Sequence, residues 1–174
     1  MANTPAYSVV VPVYNSEKTL AELCTRIQNS FATIDSDFEI ILVNDFSTDG
    51  SWGVIRELKQ KFLHQLTAIH FRKNFGQHKA LLCGFQFAKG EYIITIDDDL
   101  QFFPEDIGLL IAKAKSTSAD LVYGTYQDER QHAPVRKWGS NFVSIIFEKF
   151  GNTVGQGSSF KIIHRSIIEK IKDY

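Results

Sequence analysis

The sequence predicts an α/β domain, a mostly parallel β-sheet with helices on both faces. Two observations point there. Short apolar, β-branched runs recur along the chain, each closed by polar turn residues and followed by apolar residues at three- and four-residue spacing. The residues that close the runs are largely amides and carboxylates, the types that carry chemistry at strand ends.

The first run, residues 7–13, ends at Tyr14, Asn15 and Ser16 and leads into Leu20, Leu23, Ile27 and Phe31 at helical spacing. The second, 38–43, is closed by Asn44 and Asp45 and the turn-rich Ser47-Thr48-Asp49-Gly50, with Val54, Ile55, Leu58 and Phe62 forming the helix behind it. A third strand at 66–71 gives way to Arg72-Lys73-Asn74-Phe75-Gly76-Gln77 and a helix carrying Ala80, Leu81, Gly84, Phe85 and Ala88. The fourth, 92–96, ends on Asp97-Asp98-Asp99. Pro104 suits the first turn of a helix bearing Ile107, Leu110, Ile111 and Ala114, before a fifth strand at 120–124. After Gln127 the alternation weakens. A polar stretch to Arg136, a helix over 137–150, a Gly-rich loop at 151–158 and a short strand and helix ending at Tyr174 complete the pattern.

Residues 1–174 read as one domain, in which right-handed crossovers bring Tyr14, Asn15, Asp45, Asn74 and Asp97 to Asp99 to one edge of the sheet. The chain stops soon after its last helix begins, so the sheet is expected to be C-terminally incomplete. Nineteen Lys plus Arg against twenty Asp plus Glu leave a formal charge of -1, which excludes a whole-molecule field for nucleic acid. Cys24 and Cys83 have no paired spacing, so neither a zinc site nor a disulfide framework is indicated and a reducing, cytoplasmic setting fits. The N-terminus lacks the basic region of a signal peptide, and no stretch approaches the roughly 18 to 20 apolar residues that span a bilayer. Membrane contact is expected to be peripheral.

Three successive carboxylates repel one another, and a neighbouring divalent cation is the usual remedy. If strand geometry persists, Asp97 and Asp99 aim at one edge and can hold Mg²⁺ or Mn²⁺ together with a diphosphate, with Gln101 adding a neutral oxygen. The bland alternative is a solvated turn capping the helix near Pro104. Asp45 is placed to accept hydrogen bonds from a ribose hydroxyl or a base N–H, or to serve as a turn residue. Arg72 and Lys73 beside Asn74 suit phosphate, or a solvated surface. Neither a GxGxxG fingerprint nor a GxxxxGK[ST] loop is present, and His64, His70, His78, His132 and His164 show no metal-ligand spacing.

Val9-Val10-Val11-Pro12-Val13-Tyr14-Asn15-Ser16-Glu17, then Val43-Asn44-Asp45 through Gly50-Ser51, then Asp97-Asp98-Asp99 resemble the signature segments of family-2 glycosyltransferases. Lys73-Asn74-Phe75-Gly76-Gln77-His78-Lys79-Ala80 and Asp99-Leu100-Gln101 are similar to the branch containing dolichol-phosphate mannose synthases and bacterial polyprenyl-phosphate glycosyltransferases. The resemblance implies the Rossmann-like GT-A fold, with a nucleotide-sugar-binding part at about 6–126 and an acceptor-side part at about 127–174. It implies that Pro12, Tyr14, Glu17 and Asp45 contact the nucleoside, joined by Asn15, Lys73, Asn74 and Asp98 on the donor side. Asp97, Asp99 and Gln101 would surround the metal and diphosphate, the two aspartates being catalytic. The segment Gly157-Ser158-Ser159-Phe160-Lys161-Ile162-Ile163-His164-Arg165 resembles the one that helps form the acceptor side. The branch usually continues Leu-Gln with Asp-Pro-Pro, where this chain has Phe102-Phe103-Pro104, and often has Arg where Tyr126 and Lys161 stand.

The implied reaction is inverting transfer of a sugar from a UDP- or GDP-sugar to a polyprenyl (undecaprenyl or dolichyl) phosphate, at the cytoplasmic face of the membrane. A phosphate acceptor is already anionic at neutral pH. A hydroxyl acceptor needs a carboxylate base, and residues 151–160 contain none. Arg130, Arg136, Lys161 and Arg165, with Lys137, form a candidate basic patch for the lipid head. The pattern of 137–150 fits either a membrane-surface helix or a core helix. The rival readings are transfer to a saccharide hydroxyl in polysaccharide or O-antigen assembly, and a catalytically silent nucleotide-sugar-binding module.

Overall fold

The computed structural model describes residues 4–126, 143–146 and 158–172. Among these residues, seven strands form one sheet in the order β3-β2-β1-β4-β7-β5-β6, with β1 Tyr7–Val13, β2 Phe38–Asn44, β3 Leu66–His70, β4 Tyr92–Thr95, β5 Leu121–Tyr126, β6 Val143–Ile146 and β7 Lys161–His164. The connecting helices are α1 Leu20–Ile34, α2 Ser51–Phe62, α3 Gln77–Phe87, α4 Ile107–Thr117 and α5 Arg165–Lys172. Strands β3, β2, β1 and β4 pair in parallel. The expected parallel sheet is therefore present, with one addition. β7 enters antiparallel between β4 and β5, so the first five strands still share one direction.

Both faces of the central strands are covered, which is why β1 and β2 read as continuous apolar runs and are buried along their whole length. Val9, Val11 and Val13 point with Ile40 and Leu42 into a core closed by Leu20, Leu23 and Ile27 of α1, Ile55 and Leu58 of α2 and Leu110 of α4. Val10, Ile41 and Val43 face the other way, onto Ala80, Leu81 and Phe85 of α3 and Ile168 of α5. Alternation along each strand thus sorts the side chains between two layers of helices.

Residues 143–146 correct one expectation. They lie inside the helix expected over 137–150, yet they form β6, with Val143 opposite Tyr126 and Ile146 opposite Tyr123. Val143, Ile145 and Ile146 are β-branched, and the open edge of β5 offers them a ladder that outweighs a weak helical period. The rest of that helix, the polar stretch and the Gly-rich loop to residue 157 fall outside the described residues.

Two devices hold the segment after β4 in place. Arg26 of α1 forms a forked pair with Glu105, Nε to Oε1 at 2.9 Å and Nη2 to Oε2 at 2.6 Å, and the Ser30 hydroxyl donates to the Pro104 carbonyl at 2.9 Å. That fixes the 3-10 turn Pro104–Asp106 after the acidic segment. Phe102, where the family branch usually has Asp, stacks on buried Phe160 at 5.1 Å between centroids, so the departure is a core contact.

At the opposite edge, Ser8 donates to Glu39 at 2.7 Å, and the N–H groups of Lys89 and Gly90 close on the same pair at 2.7 and 2.8 Å. A Cβ on Gly90 would lie 2.5 Å from the Ser8 nitrogen and 2.5 Å from the Tyr7 carbonyl carbon, both backbone atoms that cannot yield. Gly90→Ala is expected to destabilise the domain by about 2–3 kcal/mol, read as a lower urea midpoint with unchanged slope.

Candidate active site

A cleft of about 380 Å³ opens at the carboxyl ends of β1 and β4, lined by Pro12, Val13, Tyr14, Asp45, Asn74, Gly76, Gln77 and Asp97 to Asp99. It lies at the switch point of the sheet, where β1 connects outward to β2 on one side and β4 continues on the other. The ladder shows why it opens. Tyr92 and Ile96 donate to the carbonyls of Ala6 and Val10, whereas Asp45 donates to that of Val13, so even-numbered residues of β1 face β4 and odd-numbered ones face β2. Pro12 therefore directs its missing N–H toward β4, whose pairing with β1 has stopped at Val10 and Thr95. No ladder bond is lost, and the two strands part.

Backbone strain collects at the same edge. Among the described residues, the loops after β1, β2, β3 and β4 each contain one positive-φ residue: Asn15 at 56°, Phe46 at 60°, Gly76 at 89° and Leu100 at 60°. The other three, Asp35, Leu63 and Ser118, close α1, α2 and α4. Phe46 and Leu100 are bulky residues in a conformation that disfavours them, which places stored strain beside Asp45 and Asp99.

Four carboxylates line the cleft, and the structure gives them different tasks. Asp45 is 3% exposed and accepts the N–H of Phe75 at Oδ1 and of Gly76 at Oδ2, both at 2.7 Å. It is the clasp of the β3–α3 loop as well as a wall of the cleft. Asp98 turns to the β1–α1 loop, accepting the Tyr14 N–H at 2.9 Å and the Ser16 hydroxyl, while its carbonyl accepts the Thr19 hydroxyl at 2.6 Å. Burial pushes its carboxyl up. Asp97 accepts the Gln77 side-chain amide at 2.6 Å, and burial pushes it up against a bond from Ser159, with the charge of Asp99 adding to the rise. Asp99 is exposed and accepts the Gln101 N–H at 3.0 Å.

The remaining residues singled out in the sequence divide. Asn15 and Glu17 join the loops after β1 and β2. Asn15 Oδ1 accepts the Thr48 N–H at 2.8 Å, Glu17 Oε2 accepts the Gly50 N–H at 2.6 Å, and Asp49 returns the contact to the Glu17 N–H at 3.1 Å. Lys73 is exposed, its ammonium 4.9 Å from the centre of the Phe75 ring. Gln101 is exposed and is tied to the acidic segment by its N–H, which donates to Asp99 Oδ1 at 3.0 Å. Lys161 comes in from β7, opposite Thr95, and feels the charge of Asp97, while burial pushes its ammonium down. Arg165 is a correction. It donates to the Ala88 and Gly90 carbonyls, at the amino end of β4 and far from the acidic edge, so it closes the α3–β4 loop. Arg130 and Arg136 lie outside the described residues.

Sequence reasoning missed Gln77, whose role appears only when α3 is set beside the end of β4. It missed Asn44 too, which is buried and contacts His70 Nδ1 at 2.9 Å and the Ser47 N–H at 3.1 Å. The signal available for Asn44 was an amide at the end of a buried strand. His70 also stacks on Trp52 at 4.7 Å, in keeping with a structural histidine.

Among the described residues, no three His, Cys, Asp or Glu side chains converge as a metal cage. Asp98 is committed elsewhere, and what remains is the pair Asp97 and Asp99. Two carboxylates with open cleft beside them suit Mg²⁺ or Mn²⁺, which take one or two carboxylates and complete their shell with phosphate oxygens and water.

A family model described as Glycosyl transferase family 2 matches residues 8–172. The chain belongs to that family. This glycosyltransferase sequence is 36% identical over 164 residues to the undecaprenyl-phosphate 4-deoxy-4-formamido-L-arabinose transferase of Klebsiella pneumoniae, covering 93% of this chain and 50% of that protein. Its identity to the transferase of the same name from Pseudomonas fluorescens is 33%, covering 93% and 48%. The chain spans about half the length of these relatives. Among solved structures it is similar to the mannosyltransferase PcManGT of Pyrobaculum calidifontis in complex with GDP-Man and Mn²⁺, with a TM-score of 0.69 at 16% identity over 98% of this chain and 47% of that one. It is also similar to S. aureus TarS in complex with UDP-GlcNAc, with a TM-score of 0.62 at 22% identity over 97% and 48%. The fold of this family-2 glycosyltransferase chain is the GT-A fold.

Because burial raises Asp97 above its unfolded-state value, its charge costs stability at neutral pH, and that cost disappears as pH falls below the unfolded value of about 3.9. Metal-free Asp97→Asn is therefore expected to melt above wild type at pH 7, with the gap closing toward pH 4. Thermal unfolding followed by circular dichroism across that range measures it.

Proposed function

We propose that the chain is the donor-binding and catalytic domain of an inverting glycosyltransferase that moves a sugar from a UDP- or GDP-sugar to a polyprenyl phosphate at the cytoplasmic face of the membrane. The observation that carries this reading is the pairing of Asp97 and Asp99 across one cleft from Asp45 and Asn74, at the switch point of a GT-A sheet. The relatives named for undecaprenyl phosphate support the acceptor. The neighbours holding GDP-Man or UDP-GlcNAc support the donor class, and the one holding Mn²⁺ supports the metal.

Asp97 and Asp99 are the residues that would hold Mg²⁺ or Mn²⁺. The cation supplies positive charge where the leaving diphosphate gains negative charge. Asp45 holds the Asn74–Gly76 corner against the cleft, which gives the nucleoside a fixed wall. Asp98, by gripping Tyr14 and Ser16, sets the β1–α1 loop over the same space. Gln77 keeps the Asp97 carboxylate aimed into the cleft, and Lys161 provides a cation on the β7 side, toward an anionic acceptor. A phosphate acceptor attacks without prior deprotonation, so no further carboxylate base is needed.

Offered a panel of nucleoside-diphosphate sugars with Mn²⁺ or Mg²⁺, wild type is expected to release nucleoside diphosphate when undecaprenyl phosphate is present. Asp99→Ala should lower that turnover by about 100-fold or more. Equal turnover in the variant would remove the metal assignment, and release only with a saccharide acceptor would replace polyprenyl phosphate with a hydroxyl.

Gln77→Ala deletes the amide held 2.6 Å from Asp97. The half-saturating Mn²⁺ concentration, read by electron paramagnetic resonance with nucleoside diphosphate present, is expected to rise about 10- to 100-fold.

A further inference from the structure

One wall of the cleft is tied to a series of hydrogen bonds that ends at His70. This residue closes β3, at one end of the strand order, and its ring stacks on Trp52 of α2 at 4.7 Å. Stacking accounts for a ring at this position. It does not account for the direction of the ring nitrogen Nδ1, which meets the side-chain amide of buried Asn44 at 2.9 Å.

One fixed donor assigns the roles along the series. The backbone N–H of Ser47 can only donate, and it reaches one end of the Asn44 side chain at 3.1 Å, so that end is the carbonyl oxygen. The Ser47 hydroxyl donates to the same oxygen at 2.5 Å. The other end of Asn44 is therefore NH₂, and His70 Nδ1 accepts from it. With its own proton directed at Asn44, the Ser47 oxygen accepts the Asn15 N–H at 2.9 Å. Asn15 is the left-handed residue of the β1–α1 loop, with φ at 56°, and it follows Tyr14, which lines the cleft. Every donor in the series thus points the same way, from Asn15 to Ser47 to Asn44 to His70, an arrangement in which each bond strengthens the next.

We propose that His70 is a positioning residue for the sugar-nucleotide donor: acting through Asn44 and Ser47, it sets the turn at Asn15 that holds Tyr14 in the cleft wall. Without the acceptor at position 70, a buried N–H of Asn44 has no partner there, and an amide that turns to find one lets go of Ser47. Asn44 also precedes Asp45, the clasp of the β3–α3 loop, so the same amide sits at the root of two walls of the cleft. The assignment rests on the reading of the cleft as a nucleotide-sugar site given above.

Two substitutions separate the nitrogen from the ring. His70→Asn keeps an acceptor atom on Cγ and removes the ring, whereas His70→Phe keeps a ring for Trp52 and removes the acceptor. Calorimetry on the whole chain with UDP and with GDP, Mg²⁺ present, gives the affinities. His70→Phe is expected to bind whichever nucleotide wild type binds about threefold to tenfold more weakly, and His70→Asn to bind it as wild type does. Amide exchange at Asn15 and Ser47, followed without nucleotide, should quicken in His70→Phe alone. A ring that serves only to stack gives the reverse order of affinities, and that order overturns the proposal. So do equal affinities in all three proteins and equal losses in both variants. If His70→Phe does not fold, Ser47→Ala cuts the same series at its middle, and an affinity equal to that of wild type then overturns the proposal. Wild type that binds neither UDP nor GDP removes the nucleotide reading and this assignment with it. Binding by wild type with His70→Phe unchanged removes this assignment alone.

Discussion

The pairing of β1 with β4 stops at Val10 and Thr95, and Pro12 keeps it from resuming. An N–H at residue 12 would face β4 and offer a donor with which to extend the ladder; proline offers none. The cleft opens at that parting. The loops after four parallel strands fold over the gap, each turned by one left-handed residue, and the acidic segment drops into it.

Within the gap, the carboxylates work as a linked set. Asp45 holds Phe75 and Gly76. The next residue, Gln77, holds Asp97, which in turn feels Asp99 on one side and Lys161 on the other. Asp98 fastens the far wall through Tyr14 and Ser16. Two of the four carboxylates are thus consumed in shaping the cleft, and the other two, Asp97 and Asp99, are the pair proposed to hold a cation. Burial that raises Asp97 is the energetic trace of this arrangement: the fold tolerates a half-buried carboxyl whose charge costs stability.

Much of this was legible in the residues. The strands of the first half were readable because buried parallel strands are continuous apolar runs, and the helices because their inner faces keep the helical period. The convergence of Asp45, Asn74 and the acidic triplet was readable from topology alone. Two matters were not. Strand β6 was hidden because β-branched residues at helical spacing satisfy either pattern until an edge strand is present to pair with them. Arg165 looked like part of a basic patch because a charge in a sequence carries no address, and only the antiparallel run of β7 puts it at the amino end of β4.

By itself the sequence determined the layers of the domain, the edge on which its polar residues gather, and the family to which those motifs belong, because hydrophobic period and strand–helix order are local properties that the chain carries with it. Only the tertiary structure decided which carboxylate does what. Asp97, Asp98 and Asp99 are identical in covalent chemistry, and their difference arises from what each one meets after folding: the Gln77 amide, the Tyr14 N–H with the Ser16 hydroxyl, or open cleft.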